Sequence, residues 1–221
     1  MTSIKMMSSN CPSCDISVET LTFMSINSSV LYSDGNMLNL NSLELCSPIV
    51  QCQNCSNYFW KSEVFSVSSD ITELEDTMGI EKCAMLNADF QEIHSLLNDN
   101  NPKFLKNESA LLIFIIKSIN IRLIEQKESN GDYILIHKDS VKKAIIILEA
   151  NKEKETEDLL LLAELYRYES DFEKALSILT SIKDEEVKWV ALKLIDACDK
   201  KNNQVIKLKS KRNIVFELND D

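Results

Sequence analysis

Four of the seven cysteines form two C-x-x-C pairs, Cys11-Pro12-Ser13-Cys14 and Cys52-Gln53-Asn54-Cys55. A turn of this length places two thiolates on one side of a metal ion and directs backbone N–H groups at the sulfurs. Zinc takes four such ligands in a tetrahedron, so two pairs leave no open position for a catalytic water. The spacing therefore predicts a structural zinc site at Cys11, Cys14, Cys52 and Cys55.

The same cysteine pairs could also serve thiol–disulfide chemistry or be ordinary free thiols. A redox C-x-x-C usually opens a helix after a strand, and no helical pattern follows either pair. Asp15 follows the first pair, where such knuckles often place a residue that accepts a left-handed backbone. Cys46 is either a spare ligand or a small buried hydrophobe, and Cys83 and Cys198 are assigned to helices and to the core.

The composition is that of a globular chain with an acidic balance. Of the 221 residues, 44% are hydrophobic and 27% are charged, and the net charge is −11. Nucleic acids and anionic membranes attract basic faces, so the acidic balance disfavours both as partners. The first ten residues lack a signal-like apolar segment, and Leu111–Ile116 is too short to cross a bilayer. We therefore expect a cytoplasmic protein with reduced cysteines.

The residue pattern predicts an α+β fold with a change of structure near Asp70. Strands are expected at Val18–Tyr32, Met37–Leu40, Ile49–Gln51 and Tyr58–Trp60, with a hairpin turn at Asp34-Gly35. Helices are expected at Glu81–Leu97, Asn107–Glu128, Ser140–Asn151, Glu157–Glu169, Asp171–Ile182 and Glu185–Lys200, with a turn at Ser129–Asp132. The predicted domains are a zinc-ribbon-like β domain over residues 1–69, a helical domain over 70–206 and a charged tail over 207–221.

One helical hairpin carries a repeat signature. Leu162, Ala163 and Tyr166 share one helix face, and Phe172, Ala175, Leu176 and Leu179 line the next helix. This pattern resembles a tetratricopeptide repeat over about 25 residues, although it lacks a final proline and Ile182 replaces a small residue. The resemblance implies stacked helical hairpins, with Val187–Cys198 as the capping helix. An unrelated helical hairpin is the alternative.

The N-terminal segment resembles uncharacterised bacterial proteins that begin with a zinc ribbon. The shared features are the Cys11–Cys14 pair, the Tyr32-Ser33-Asp34-Gly35 turn, and the Cys52–Cys55 pair running into Phe59-Trp60. The resemblance covers about 50 residues around the cysteine ligands. It implies a ribbon followed by a helical region, and it implies no known activity.

The sequence shows no catalytic constellation. The only glycines are Gly35, Gly79 and Gly131, which excludes the clustered glycines of a phosphate loop. The only histidines, His94 and His137, are assigned to the core or the surface. We therefore expect a non-enzymatic scaffold protein whose helical-repeat surface binds a protein or peptide. Glu164, Arg167 and Tyr168 are candidate groove positions, whereas a deep cleft ringed by His94 or His137 would favour an enzyme.

The second hypothesis is a nucleic-acid-binding zinc ribbon with a helical regulatory domain. Tyr58, Phe59 and Trp60 could stack on bases, and Lys207, Lys209, Lys211 and Arg212 form a basic run. The acidic balance opposes this hypothesis, and the three aromatic residues equally fit the core of a small zinc domain. The basic run is more typical of a solvated face.

Overall fold

The fold is α+β, with a strand-rich N-terminal region followed by helices. The computed structural model describes residues 3–34, 45–65, 83–124 and 131–217. The predicted strand at Met37–Leu40, the turn position Gly35 and the acidic segment Ile71–Met78 lie outside the described residues.

The described strands form one sheet. They are β1 (Ser3–Asn10), β2 (Ser17–Tyr32), β3 (Ile49–Cys52), β4 (Tyr58–Trp60), β5 (Cys83–Asn87) and β6 (Lys207–Glu217). The strand order is β1-β2-β5-β3-β4, and β6 pairs with β2. The strands predicted at Val18–Tyr32, Ile49–Gln51 and Tyr58–Trp60 are confirmed.

Strand β5 lies between two antiparallel hairpins, β1–β2 and β3–β4. It runs parallel to β2, where Cys83 pairs with Val18, and antiparallel to β3, where Met85 pairs with Cys52. The β1–β2 hairpin turns at residues 11–16, which include Cys11 and Cys14. The β3–β4 hairpin turns at residues 53–57, which include Cys55, while Cys52 ends β3. Strand β5 therefore brings the two cysteine pairs to the same part of the sheet.

The helix predicted from Glu81 is wrong at Cys83–Asn87, which is strand β5. The helix begins later because Asp89 caps it: its Oδ1 accepts from the N–H groups of Gln91 at 2.8 Å and Glu92 at 2.9 Å. In return, Oε2 of Glu92 accepts from the Asp89 N–H at 2.8 Å. This capping box starts the helix at Phe90 and leaves the preceding residues free to join the sheet.

The described helices agree with most of the predicted ones. They are α1 (Lys61–Val64), α2 (Phe90–Asn98), α3 (Pro102–Leu105), α4 (Glu108–Ile124), α5 (Gly131–Ala150), α6 (Thr156–Tyr168), α7 (Phe172–Ser181) and α8 (Lys188–Asp199). The predicted turn is wrong at Gly131 and Asp132, which open α5. A single glycine in a helix costs only about 1 kcal/mol, which packing of a long helix readily offsets. No helix in the described part of the chain combines the length and apolarity needed to cross a bilayer.

The hairpin of α6 and α7 has the predicted apolar faces. Leu162, Ala163 and Tyr166 are buried on α6, and Ala175 and Leu179 are buried on α7. The two helices are joined by a turn in which Ser170 takes a left-handed conformation, with φ of 63°. Oδ1 of Asp171 then accepts from the N–H of Lys174 at 3.3 Å and caps α7.

The chain divides into two compact units, each built from separate segments. The strand-rich unit contains Met1–Ser28, Leu38–Ile93 and Arg212–Asp221, and the helical unit contains Ser29–Met37 and His94–Lys211. Strands β2 and β6 each contribute residues to both units. The boundaries of these units differ from those of the predicted domains 1–69, 70–206 and 207–221. The division into those domains stays a prediction.

Candidate metal centre and a buried polar network

The two C-x-x-C turns have the same backbone hydrogen bonds. In the first, the N–H of Asp15 donates to the carbonyl of Cys11, and the N–H of Cys11 donates to the carbonyl of Ile16, both at 2.9 Å. In the second, the N–H of Ser56 donates to the carbonyl of Cys52 at 2.8 Å, and the N–H of Cys52 donates to the carbonyl of Asn57 at 3.0 Å. The offsets along the chain are identical, so the two turns are equivalent knuckles.

Each knuckle ends in a left-handed residue directly after its second cysteine. Asp15 has φ of 56° and Ser56 has φ of 58°. The expectation that Asp15 stands at a left-handed position is confirmed, and Ser56 is its counterpart in the second knuckle. Few side chains adopt this conformation without strain, and aspartate and asparagine are among those favoured there. These two residues turn the chain back so that both sulfurs of a pair face the same point.

The four sulfurs of Cys11, Cys14, Cys52 and Cys55 all lie within 4.8 Å of one another. Sγ of Cys11 is 3.7 Å from Sγ of Cys55, and Sγ of Cys14 is 3.9 Å from Sγ of Cys52. A tetrahedron with metal–sulfur bonds of about 2.3 Å has edges of about 3.8 Å. Both short distances join different knuckles and match such an edge. The predicted ligand residues therefore lie together as a possible metal site.

Burial and the surrounding N–H groups act in opposite directions on the pKa values of Cys14 and Cys52. A side-chain hydrogen bond from Asn54 and the backbone N–H of Ile16 lower the pKa of Cys14 to about 7. Burial raises the pKa of Cys52 to about 12, against the N–H groups of Cys55 and Asn54. The turn N–H groups thus point at the sulfurs as predicted, and they favour the thiolate form.

The cysteine cluster is part of the hydrophobic core of the strand-rich unit. Cys11 and Cys52 are buried together with Val18, Val50, Phe59, Val64, Phe65 and Met85. The core role of Phe59 is confirmed, so this ring is not available to stack on a base. The hydroxyl of Tyr58 donates to Oε1 of Glu92 at 3.0 Å, which ties β4 to α2. The aromatic residues therefore stabilise the sheet next to the second knuckle.

Lys61 fastens the second hairpin to the neighbouring strands, a role that its sequence context does not reveal. Its Nζ donates to the carbonyls of Leu21 at 3.0 Å and Leu45 at 2.9 Å and to Oδ1 of Asn87 at 3.0 Å. Burial lowers the pKa of Lys61 to about 8, because a charged ammonium loses hydration there. Three acceptors compensate for that loss and fix the end of β4 against β2 and β5.

The remaining three cysteines lie outside the cluster of four sulfurs. Cys46 is half-buried, and burial raises its pKa. Cys198 is buried on α8, as predicted, whereas the helical assignment of Cys83 is wrong because it opens β5. Cys83 nevertheless packs partly against the core of the strand-rich unit.

Two of the three proposed groove residues, Glu164 and Arg167, are wrong, because they are buried in a polar network; Tyr168 joins this network but is only half-buried. Glu164 and Arg167 are both 0% exposed, and Nη2 and Nε of Arg167 donate to the two carboxylate oxygens of Glu164 at 2.6 and 2.7 Å. Nη1 of Arg167 donates to the carbonyl of Asn202. The hydroxyl of Tyr168 donates to Oε1 of Glu164 at 3.0 Å. An ion pair with this geometry binds the core together and cannot contact a partner.

The network continues from Tyr168 to the neighbouring helices. Nδ2 of Asn120 lies 3.3 Å from the Tyr168 hydroxyl and 2.9 Å from Oδ2 of Asp34, a buried carboxylate. Nε2 of His137 lies 2.9 Å from Oδ1 of Asn120. Burial lowers the pKa of His137 to about 4, so the ring is neutral near pH 7. The amino-acid order alone gives no sign that these residues meet.

A cavity of about 340 Å³ adjoins this network in the helical unit. Leu123, Ile124 and Val205 supply apolar lining, and Asn120, His137 and Tyr168 supply polar lining. The described lining contains no serine, cysteine or carboxylate that could act as a nucleophile with His137.

The other histidine, His94, lies on α2, where its ring contacts the amide of Asn98 at 3.4 Å. The absence of enzymatic activity therefore stays a prediction.

Searches against protein-family models, curated proteins and solved structures find no match to this chain. The resemblances to zinc-ribbon proteins and to tetratricopeptide repeats therefore stay predictions from the residue pattern.

Removing one partner of the buried ion pair should lower the free energy of unfolding substantially. Replacing Glu164 with alanine leaves the guanidinium of Arg167 buried without its carboxylate, and should lower the free energy of unfolding by about 3–5 kcal/mol. The matched control is Glu185→Ala, which breaks an exposed pair with Lys188 at the same i,i+3 spacing. That control should cost less than about 0.5 kcal/mol.

Urea unfolding monitored by the helix signal measures both variants. Glu164→Gln keeps the hydrogen-bonding shape and should fall between the alanine variant and the wild type. A Glu164→Ala variant within about 1 kcal/mol of the wild type would contradict the structural role given to this pair.

Proposed function

We propose that this chain is a non-enzymatic interaction protein whose strand-rich unit is stabilised by one structural zinc ion. The observation that carries the metal proposal is the arrangement of four cysteine sulfurs at tetrahedral spacing. Four thiolates satisfy zinc completely, and such closed sites stabilise folds and do not activate water. The zinc ion would be held by Cys11, Cys14, Cys52 and Cys55.

Zinc is favoured over harder metals by the chemistry of the ligands. A tetrahedral site of four sulfurs suits zinc or iron, whereas calcium and magnesium require oxygen ligands. In this proposal the two knuckles form a zinc-ribbon-like centre, and the reducing compartment keeps the thiols available for metal. The zinc ion would then supply a positive counter-charge at a place where burial opposes the ionisation of the Cys11 and Cys52 thiols.

The interaction role is supported by apolar side chains on the surface of the helical unit. On α8, Ala191, Leu194 and Ala197 are buried, whereas Trp189 is 38% exposed and Leu192 is 59% exposed. Trp189 and Leu192 are three positions apart and share the outer face of this helix. A tetratricopeptide-like stack would present this face to the next helix, and here we propose that a protein or peptide occupies it.

Metal content tests the zinc proposal directly. Protein purified without added metal should contain one zinc ion per chain. Chelation should unfold the strand-rich unit, because metal-binding free energy on the order of 10 kcal/mol becomes folding free energy in such sites. The helical unit has its own buried core and should keep its far-ultraviolet helix signal.

Matched cysteine variants locate the metal. Cys52→Ser should release the zinc, while Cys46→Ser and Cys198→Ser should retain it, because these two cysteines lie outside the sulfur cluster. Fluorescence of Trp60 in a Trp189→Phe background reports unfolding next to the second knuckle. Less than about a tenth of a metal ion per chain, with both pairs oxidised, would reject the proposal in favour of redox chemistry.

The proposed contact face on α8 is tested by retention of partners from a lysate of the native host. Leu192→Lys should reduce retention of any specific partner at least about tenfold, as expected for a central contact residue. The control is Ile146→Lys on α5, which alters a side chain that is 66% exposed in the same unit. Repeated recovery of no specific protein, or equal retention by both variants, would count against the interaction role.

A further inference from the structure

The cavity beside His137 is large enough for a small organic molecule. Its volume of about 340 Å³ lies within the roughly 300–1,000 Å³ typical of ligand pockets. Leu123, Ile124 and Val205 provide an apolar wall, and the polar lining consists of Asn120, His137, Tyr168, Asn203 and Gln204. This combination of an apolar wall with a few fixed polar groups is typical of ligand sites.

Two buried carboxylates fix the directions of the hydrogen bonds that join Asn120, Tyr168 and His137. A carboxylate only accepts, so Asp34 requires that the amide nitrogen of Asn120 face it, at 2.9 Å. Glu164 requires the hydroxyl proton of Tyr168, at 3.0 Å. The second proton of the Asn120 amide then points to the oxygen of Tyr168, at 3.3 Å. Reversing the amide of Asn120 would place its oxygen against the Asp34 carboxylate.

The orientation of Asn120 in turn fixes the proton of His137. Oδ1 of Asn120 lies 2.9 Å from Nε2 of His137, and an amide oxygen can only accept. The single proton of the neutral ring is therefore on Nε2, and Nδ1 presents a lone pair. Among the described residues, Nδ1 makes no hydrogen bond. His137 lines the cavity, so Nδ1 is the ring atom that remains to accept a hydrogen bond from a ligand there.

We propose that this cavity binds a neutral small molecule that donates an O–H or N–H group to Nδ1 of His137 and places an apolar ring beside Leu123 and Ile124. A deprotonated carboxylate without a hydroxyl group, such as benzoate, has no donor to satisfy this acceptor. A cation is disfavoured by the same burial that lowers the pKa of His137 to about 4. This inference is independent of the metal centre, since every residue that it uses belongs to the helical unit.

Ring-nitrogen NMR of the full-length chain tests the site, because His94 and His137 are its only histidines. With ¹⁵N in the histidine rings, His137 should appear as the neutral Nε2–H form, and His94 serves as the internal reference. Phenol should bind with a dissociation constant on the order of 1 mM and shift the Nδ1 signal of His137 towards that of a hydrogen-bonded nitrogen. Anisole has the same ring without the donor, and it should bind roughly three- to tenfold more weakly.

Charged probes and a matched pair of variants complete the test. Benzoate and benzylammonium should bind more weakly than phenol. Leu123→Trp keeps every side chain of the network and places a large ring in the cavity, so it should weaken phenol binding at least about tenfold. The control is Leu135→Trp, an exposed position on α5 that does not line the cavity and should leave phenol binding unchanged.

Four results would each overturn the proposal. They are a His137 ring protonated on Nδ1, no phenol binding at about 10 mM, anisole or a charged probe binding as tightly as phenol, and phenol binding that survives Leu123→Trp.

Discussion

Four cysteine sulfurs come together from two hairpins that are far apart in the sequence. The strand-rich unit is organised so that these two hairpins lie side by side. The 37 residues 15–51 separate the two cysteine pairs along the chain. Strand β5 pairs with one strand of each hairpin and holds the knuckles next to each other. Lys61 adds three hydrogen bonds that fix the second hairpin. A small core of this kind has little apolar surface, so a metal ion held by the four sulfurs would supply stabilisation that packing alone would not.

In the helical unit, the fold is constrained by two buried charged side chains, which need hydrogen-bond partners in place of water. Glu164 and Arg167 lose their hydration completely, and the loss is compensated only if every hydrogen-bonding position is satisfied. Tyr168 and Asn120 extend the network to a second buried carboxylate, Asp34. The directions of these hydrogen bonds are therefore determined, and they leave one acceptor of His137 for the cavity. The hydrogen bonds that begin at the buried ion pair thus reach the residues that line the proposed ligand site.

The cysteine site was predictable because its ligand spacing is a local property of the sequence. Positions 11, 14 and 55 lie in short turns and position 52 directly precedes one, and the left-handed residue after the first pair was recognisable as Asp15. Strand β5 was missed although Asp89 and Glu92 show the spacing of a capping box, a local signal that could have ended the predicted helix correctly. Most helix positions also followed from local periodicity.

The burial of Glu164 and Arg167 could not be predicted from periodicity. Charged residues at spacing i,i+3 usually lie on a solvated face, and only the packing of neighbouring helices places this pair inside. The acceptors of Lys61 are likewise invisible in the sequence, because two of them are backbone carbonyls of distant residues. The cavity beside His137 depends on residues from Asp34 to Val205, so no local pattern announces it.

X-ray absorption at the zinc edge of the purified full-length chain tests the central claim most directly, because it counts the atoms bound to the metal. A site built from both knuckles predicts four sulfur neighbours at about 2.3 Å and no nitrogen or oxygen neighbour. A shell that mixes sulfur with nitrogen or oxygen would contradict the account, since it would show that one knuckle does not supply both of its thiolates.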